Sequence, residues 1–88
     1  MILGKVTGNI WSTRKNDKLT GLKFMVVETV DQQDDEARHT FIAADNVGAG
    51  VGDTVMVTFG SASRLAFEKE IPVDATIVGI IDSVEDGL

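Results

Sequence analysis

Hydrophobic positions along this chain recur with a period of two, in five separate runs. Nowhere do they take the three-to-four spacing of a long amphipathic helix. In the first run, Met1 to Trp11, the residues Ile2, Gly4, Val6, Gly8 and Ile10 alternate with Leu3, Lys5, Thr7, Asn9 and Trp11. That places one small or apolar face on an extended strand. The glycines on that face predict a strongly bent strand, as at a barrel corner. The second run, Leu22 to Val30, sets Leu22, Phe24, Val26 and Val30 on one face, while Lys23, Met25, Val27 and Thr29 make a half-apolar other face. The third, Arg38 to Ala44, opposes His39, Phe41 and Ala43 to Thr40, Ile42 and Ala44. The fourth, Thr54 to Phe59, carries Val55, Val57 and Phe59 on one face. The fifth, Ala75 to Ile81, is apolar on both, with Ile77, Gly79 and Ile81 against Val78 and Ile80.

The connections are as informative as the strands. Between the third and fourth runs lies Asp-Asn-Val-Gly-Ala-Gly-Val-Gly-Asp, Asp45 to Asp53. Alternating glycines resist both helix and ordinary strand, because each loses the most backbone freedom on ordering. The next residues, from Thr54, read as a strand and include no Gly-Lys-Ser/Thr, which rules against a phosphate-binding loop. The stretch reads as a shaped connection between strands, or as a bare backbone surface that meets a neighbouring subunit or lines an opening. Ser12 to Gly21 reads as a polar loop holding Arg14, Lys15 and Lys18, without the interleaved aromatics of a nucleic-acid site; it is a solvated loop or one facing an acidic neighbour. Asp31 to Glu36 is an acidic surface turn lacking the spaced ligands and turning glycine of a calcium loop. Gly60-Ser61-Ala62-Ser63-Arg64 predicts a single helical turn capped by Ser61 or Ser63. Arg64 there either forks onto a carboxylate or holds an anion, the former favoured. Glu68 to Asp74 is a charged connection in which Pro72 biases Ile71 to extended geometry. Ser83 to Leu88 is a polar tail.

Five short strands, at most one short helical turn and a Gly-rich crossing predict an all-β fold. The expected form is a small, partly closed antiparallel five-stranded barrel like the oligonucleotide-binding (OB) fold. The second and fifth strands cannot hide both faces within so small a barrel, and exposed apolar patches mark association sites. With 88 residues the chain is one domain, residues 1–88. At that size it buries only roughly 60–65% of its unfolded surface. It has no cysteine to compensate, which leaves oligomerisation as the usual support. Trp11 reads as a partly buried packing residue, with an interface anchor as the alternative.

Charge and side-chain chemistry then exclude function classes. The formal charge is −6, from 14 acidic and 8 basic side chains, which disfavours phosphate backbones and anionic membranes. His39 is the only histidine and has no partner set for a metal. The serines lack a nucleophile elbow and a nearby base. No catalytic, metal or cofactor site is expected, and the chain is read as not an enzyme. Its start lacks a basic region followed by an apolar run, and no stretch approaches the ~20 apolar residues of a membrane span. The expectation is a soluble cytoplasmic protein.

Six segments, in this order and spacing, resemble the EutN/CcmL family of bacterial microcompartment vertex proteins. They are Gly4-Lys5-Val6-Thr7-Gly8; Ser12-Thr13-Arg14-Lys15 with Leu19-Thr20-Gly21-Leu22-Lys23; Ala44 to Gly52; Gly60 to Arg64; Pro72-Val73-Asp74-Ala75; and Val78-Gly79-Ile80-Ile81-Asp82. The likeness covers nearly the whole chain. Ala62-Ser63 departs from the Ser-Ala or Ala-Ala common there, and the tail is short.

The resemblance implies a structural protein of the microcompartment shell, located in the cytoplasm within that shell. Family barrels assemble as cyclic pentamers that fill the fivefold points of a shell otherwise tiled by hexameric and trimeric proteins. It implies no nucleic-acid or membrane partner. By analogy, Asp45, Asn46, Gly48, Ala49, Gly50, Gly52, Ser61, Arg64 and Asp74 lie at the subunit interface or the central opening. Arg14 and Lys15 face adjoining hexamers. The alternative function is a small acidic OB-like barrel acting as a ligand- or protein-binding module.

Overall fold

A computed structural model describes residues 1–12, 15–30, 39–67 and 71–83. Among them five strands close a barrel in the order β1-β2-β3-β5-β4. They are β1 (Ile2–Ile10), β2 (Lys23–Thr29), β3 (Thr40–Asp45), β4 (Thr54–Phe59) and β5 (Ala75–Ile80). One four-residue helix, α1 (Ser61–Arg64), joins β4 to β5, and a 3₁₀ turn (Asp17–Leu19) sits between β1 and β2. The expected acidic turn at 31–36, the start of the third run at Arg38, residues 68–70 of the charged connection and most of the tail fall outside the described residues.

Two features of the barrel depart from the expectation. It is closed, not partly open, and β3 pairs with β5 in parallel while the other four pairs are antiparallel. The reason is arithmetic: strand directions cannot alternate all the way around a ring with an odd number of members. One pair must run parallel, and the long β3-to-β5 path through β4 and α1 supplies it.

The core is made of Val6, Met25, Val27, Ala43, Ala49, Val55, Val57, Ala75 and Ile77. It follows the predicted alternation except where a bulge intervenes. The β1–β2 register shifts between Val6 and Gly8, so Thr7 is an extra residue and the strand changes face there. Gly4 and Val6 point inward; Gly8 and Ile10, predicted to share their face, pair with Val26 and Phe24 on the outer surface. Gly4 is required by packing, since a Cβ there would collide with Val27 Cγ1 and lie 3.3 Å from the Glu28 carbonyl. A second shift, between Met56 and Val57, makes Val78 the extra residue of β5. Ile77 therefore faces the core, while Gly79 lies outside beneath Met56. On β2 the half-apolar face, Met25 and Val27, is the one that faces the core.

Part of the surplus apolar surface is covered within the chain. Ala44, Ile71 and Val73 form a second buried cluster outside the barrel, packed by Leu19, Leu22, Phe24 and Phe67. The Val73 N–H donates to the Ile71 carbonyl at 3.0 Å across Pro72, a three-residue turn that suits the fixed φ of proline.

Candidate functional site

The glycine stretch is tied down from both ends by its own carboxylates. Asp45 Oδ1 accepts from the Val47 and Gly48 N–H groups at 3.0 and 3.1 Å. Asp53 Oδ2 accepts from Gly50 N–H at 2.8 Å, and Asp53 N–H returns to the Gly50 carbonyl at 3.0 Å. Lys23 Nζ donates to the Ala49 carbonyl at 2.6 Å and stands 3.6 Å from Asp45 Oδ2. The Asp45 side chain is only 2% exposed, so its charge is compensated by two N–H donors and one ammonium. Ala49 plugs the barrel core. Gly52 N–H reaches the Val6 carbonyl, and Val6 N–H the Asp53 carbonyl, both at 2.9 Å. Asn46 is exposed, its N–H 3.3 Å from the Ile77 carbonyl.

The three glycines have different reasons to be glycine. Gly48 and Gly52 take φ of 81° and 96°, which side chains with a Cβ rarely adopt. Gly50 is not among the positive-φ residues, and a Cβ there would meet nothing closer than Asp53 Oδ2 at 3.8 Å. Among the described residues nothing requires Gly50 to lack a side chain.

The turn around α1 holds Ser61, Arg64 and Asp74 near one another. Neither serine caps the helix: Gly60, at φ 66°, is the N-cap, with no side-chain cap bond, and Ser61 is exposed in the first turn. Ser63 is fully buried, its hydroxyl facing the Gly60 and Val73 carbonyls, while its own carbonyl accepts from Thr76 Oγ1 at 2.7 Å. Arg64 Nη1 donates to the Val73 carbonyl at 3.4 Å, and no ion pair joins it to Asp74. Among the described residues Arg64 meets a carbonyl and not the carboxylate of the expected fork, in reach because the 71–74 segment presents its backbone to α1. Asp74 contributes through its carbonyl, which accepts from Gly60 N–H at 2.9 Å.

Of the basic loop, Arg14 lies outside the described residues. Lys15 is exposed, its Nζ 3.2 Å from the Ser12 carbonyl. Trp11 is 91% exposed, so the packing reading fails: β1 ends at Ile10 and no described element covers the indole. Leu65, Val51 and Ile42 are exposed by 84, 61 and 55%. Beside Trp11 a groove of about 540 Å³ opens on the outer face, lined among others by Ile10, Leu19, Leu22, Phe24 and Ile42, with Lys15 and Lys23.

Sequence reasoning assigns Lys23 nothing beyond its place on a β2 face. Its function as the clamp on Asp45 and Ala49 becomes visible only with the β2–β3 register, which sets Lys23 opposite Asp45. Among the described residues no group of three or more His, Cys, Asp or Glu converges, and no helix is long and apolar enough to cross a membrane. The arrangement is one of rigid backbone turns and uncovered apolar surface, suited to packing against another protein.

The family model described as ethanolamine utilisation protein EutN/carboxysome matches residues 1–82. The bacterial microcompartment shell vertex protein GrpN of Rhodospirillum rubrum is 43% identical over 86 residues, 97% of each chain. The carboxysome shell vertex protein CcmL of Gloeobacter violaceus is 38% identical over 85 residues, 96% of this chain and 85% of the relative. The solved structure of the pentameric shell protein GrpN from Rhodospirillum rubrum superposes with a TM-score of 0.84 at 40% identity. That match covers 98% of this chain and 99% of the other. The chain belongs to the EutN/CcmL family.

Proposed function

We propose that this chain is a structural subunit of a bacterial microcompartment shell, forming homo-pentamers that occupy the fivefold vertices. Its partners are four further copies of itself, and hexameric and trimeric shell proteins around the ring. Its place is the shell, inside the cytoplasm, and it performs no catalysis.

One observation carries the reading: a chain whose relatives are vertex proteins leaves Trp11, Leu65, Val51 and Ile42 more than half exposed on one small barrel. Apolar exposure of that kind is relieved by association. A cyclic ring uses two different patches per subunit and so covers surface on two sides of each barrel. The stretch from Asp45 to Asp53 fits the place where subunits converge. Its backbone is fixed from within by Asp45, Asp53 and Lys23, and half-buried Gly50 carries no side chain to hold a neighbour away. The turn bearing Ser61, Arg64 and Asp74 orients the neighbouring contact, and Arg14 and Lys15 face the adjoining hexamers.

Native mass spectrometry of the purified chain tests the ring: a five-subunit mass is expected, and a stable monomer at micromolar concentration refutes it. Co-expression with hexameric facet proteins tests the vertex role. Hexagonal tiling alone cannot close, so closed shells are expected only when this chain is present. Equally closed shells without it count against the role.

A further inference from the structure

We infer that Lys23 is a positioning residue for assembly: by holding Ala49 in the end of the barrel, it keeps Val47 and Val51 presented to the neighbouring copy of this chain. The inference rests on the ring reading above, which sets residues 45–53 at the subunit junction, and it names the side chains that act there.

The stretch is organised about one buried point. Ala49 is fully buried in the core, while Val47 and Val51, two positions to either side, are exposed by 39 and 61%. These valines are the only apolar side chains of the stretch larger than a methyl group. Between each valine and Ala49 stands a glycine, Gly48 or Gly50, whose backbone can turn in directions closed to other residues. A single alanine methyl in the core is a weak hold on so pliant a segment. Where the two valines point therefore depends on what fixes the backbone of Ala49.

The tethers are of two kinds. Asp45 and Asp53 accept from the Val47, Gly48 and Gly50 N–H groups. Both carboxylates belong to the stretch, so they fix its local turns and not its place on the barrel. Its place is fixed near the ends by Asn46 N–H on the Ile77 carbonyl and Gly52 N–H on the Val6 carbonyl. In the middle it is fixed by Lys23, whose Nζ lies 2.6 Å from the Ala49 carbonyl and 3.6 Å from Asp45 Oδ2. Among the described residues that is the one hydrogen bond of the Ala49 backbone. It comes from 26 residues away, in reach because β2 sets Lys23 opposite Asp45. One ammonium thus joins the buried point to the first turn, through a charge-assisted bond stronger than a neutral one. The Lys23 side chain is 51% exposed, against 2% for Asp45, so this tether can be altered without opening the core.

Three substitutions test the role. Lys23→Met keeps the apolar stem and removes the ammonium, Lys23→Arg keeps a charged donor, and Lys18→Met removes a charge from the 3₁₀ turn as a control. Native mass spectra over a dilution series give the concentration at which half the chains are in five-membered rings. Hydrogen–deuterium exchange follows the amides of residues 45–53 against those of β4. Lys23→Met should raise the half-assembly concentration about tenfold and speed exchange in residues 45–53 alone. Lys23→Arg should restore both, and Lys18→Met should change neither. In a Val51→Ser background, itself weakened in assembly, Lys23→Met should add little, because both changes act on the same contact. Rings from Lys23→Met at the parent's concentration, full additivity with Val51→Ser, or faster exchange across the whole barrel overturns the assignment and leaves the ring reading standing. Lys23→Gln replaces Lys23→Met if the latter does not fold. A parent that stays monomeric overturns both.

Discussion

Gly48, Gly50 and Gly52 alternate in one short segment, and the structure predicts that replacing them has opposite consequences. Gly48→Ala and Gly52→Ala each place a Cβ at φ of 81° or 96° with no neighbouring atom within 4 Å. The cost is therefore backbone strain alone, about 1–2 kcal/mol for an L-residue in left-handed geometry. Any Gly→Ala change also removes disorder from the unfolded chain, worth roughly 0.4–1 kcal/mol. The net loss is about 1 kcal/mol, a fall of ~4–8 °C in Tm for a domain of this size. Gly50→Ala has no positive φ to strain and only Asp53 Oδ2 at 3.8 Å to meet. It keeps the entropic gain, so the barrel is unchanged or slightly more stable. Gly50→Val, with a bulkier branch facing outward, should then break the ring while sparing the fold. The assay is thermal unfolding at one fixed subunit concentration, because assembly raises apparent stability by mass action, with native mass spectra of each variant. Gly50→Ala melting well below Gly52→Ala would refute the conformational reasoning. A normal five-subunit ring from Gly50→Val would refute the placement of this stretch at the subunit junction.

Other substitutions separate core, clamp and surface. Gly4→Ala should destabilise the barrel by about 1–3 kcal/mol in denaturant titration, since the added methyl meets Val27 in a packed core. Asp45→Ala should cost about 1–3 kcal/mol through loss of charge-assisted bonds to Val47 and Gly48. Asp45→Asn, which keeps the Oδ1 acceptor, should recover most of it; equal losses would show that the hydrogen bonds are not the cause. Trp11→Ala should change subunit stability by no more than about 0.5 kcal/mol, because the indole is 91% exposed. A larger loss in the dissociated chain, read by far-ultraviolet circular dichroism, would contradict that exposure.

The strands are legible in the sequence because their core residues alternate. Val55 and Val57 on β4, and the whole extent of that strand, stand where the pattern puts them. The pattern misses the two places where alternation fails. A bulge adds one residue without any mark in composition: Thr7 and Val78 look like ordinary strand residues, yet each reverses the facing of the rest of its strand. On β2, both faces are apolar enough to be the core. The choice of Met25 and Val27 is made by the partners Val6, Ala43 and Phe41, not by β2 itself. At the candidate site, the turning glycines are visible as glycines. Which of them the backbone requires depends on φ, and the lysine that clamps the stretch lies far away in sequence. Ser63 has the residue type and position of a cap, but its hydroxyl turns inward to two carbonyls, because Gly60 already supplies the positive φ that starts the turn.

The same bulge that obscures the β1 pattern links fold to assembly. Had β1 kept one facing along its length, Gly8 and Ile10 would point into the barrel, and polar Thr7 and Asn9 would be the β1 neighbours on the outer surface of β2. By turning at Thr7, the strand gives Gly4 and Val6 to a core of small residues and gives Ile10 to the groove beside Phe24. The core includes three alanines, Ala43, Ala49 and Ala75, so it buries little apolar volume for its length. Stability of a chain built this way is divided between an interior that closes the barrel and an exterior satisfied by another subunit. Deletion of Thr7 takes out the extra residue and leaves Val6 opposite Val27 and Gly8 opposite Val26, so both facings, and with them both contributions, are kept. It should yield a folded chain that still assembles, read by circular dichroism and native mass spectrometry, and an unfolded chain from that deletion would show that the bulge does more than set the facing of β1.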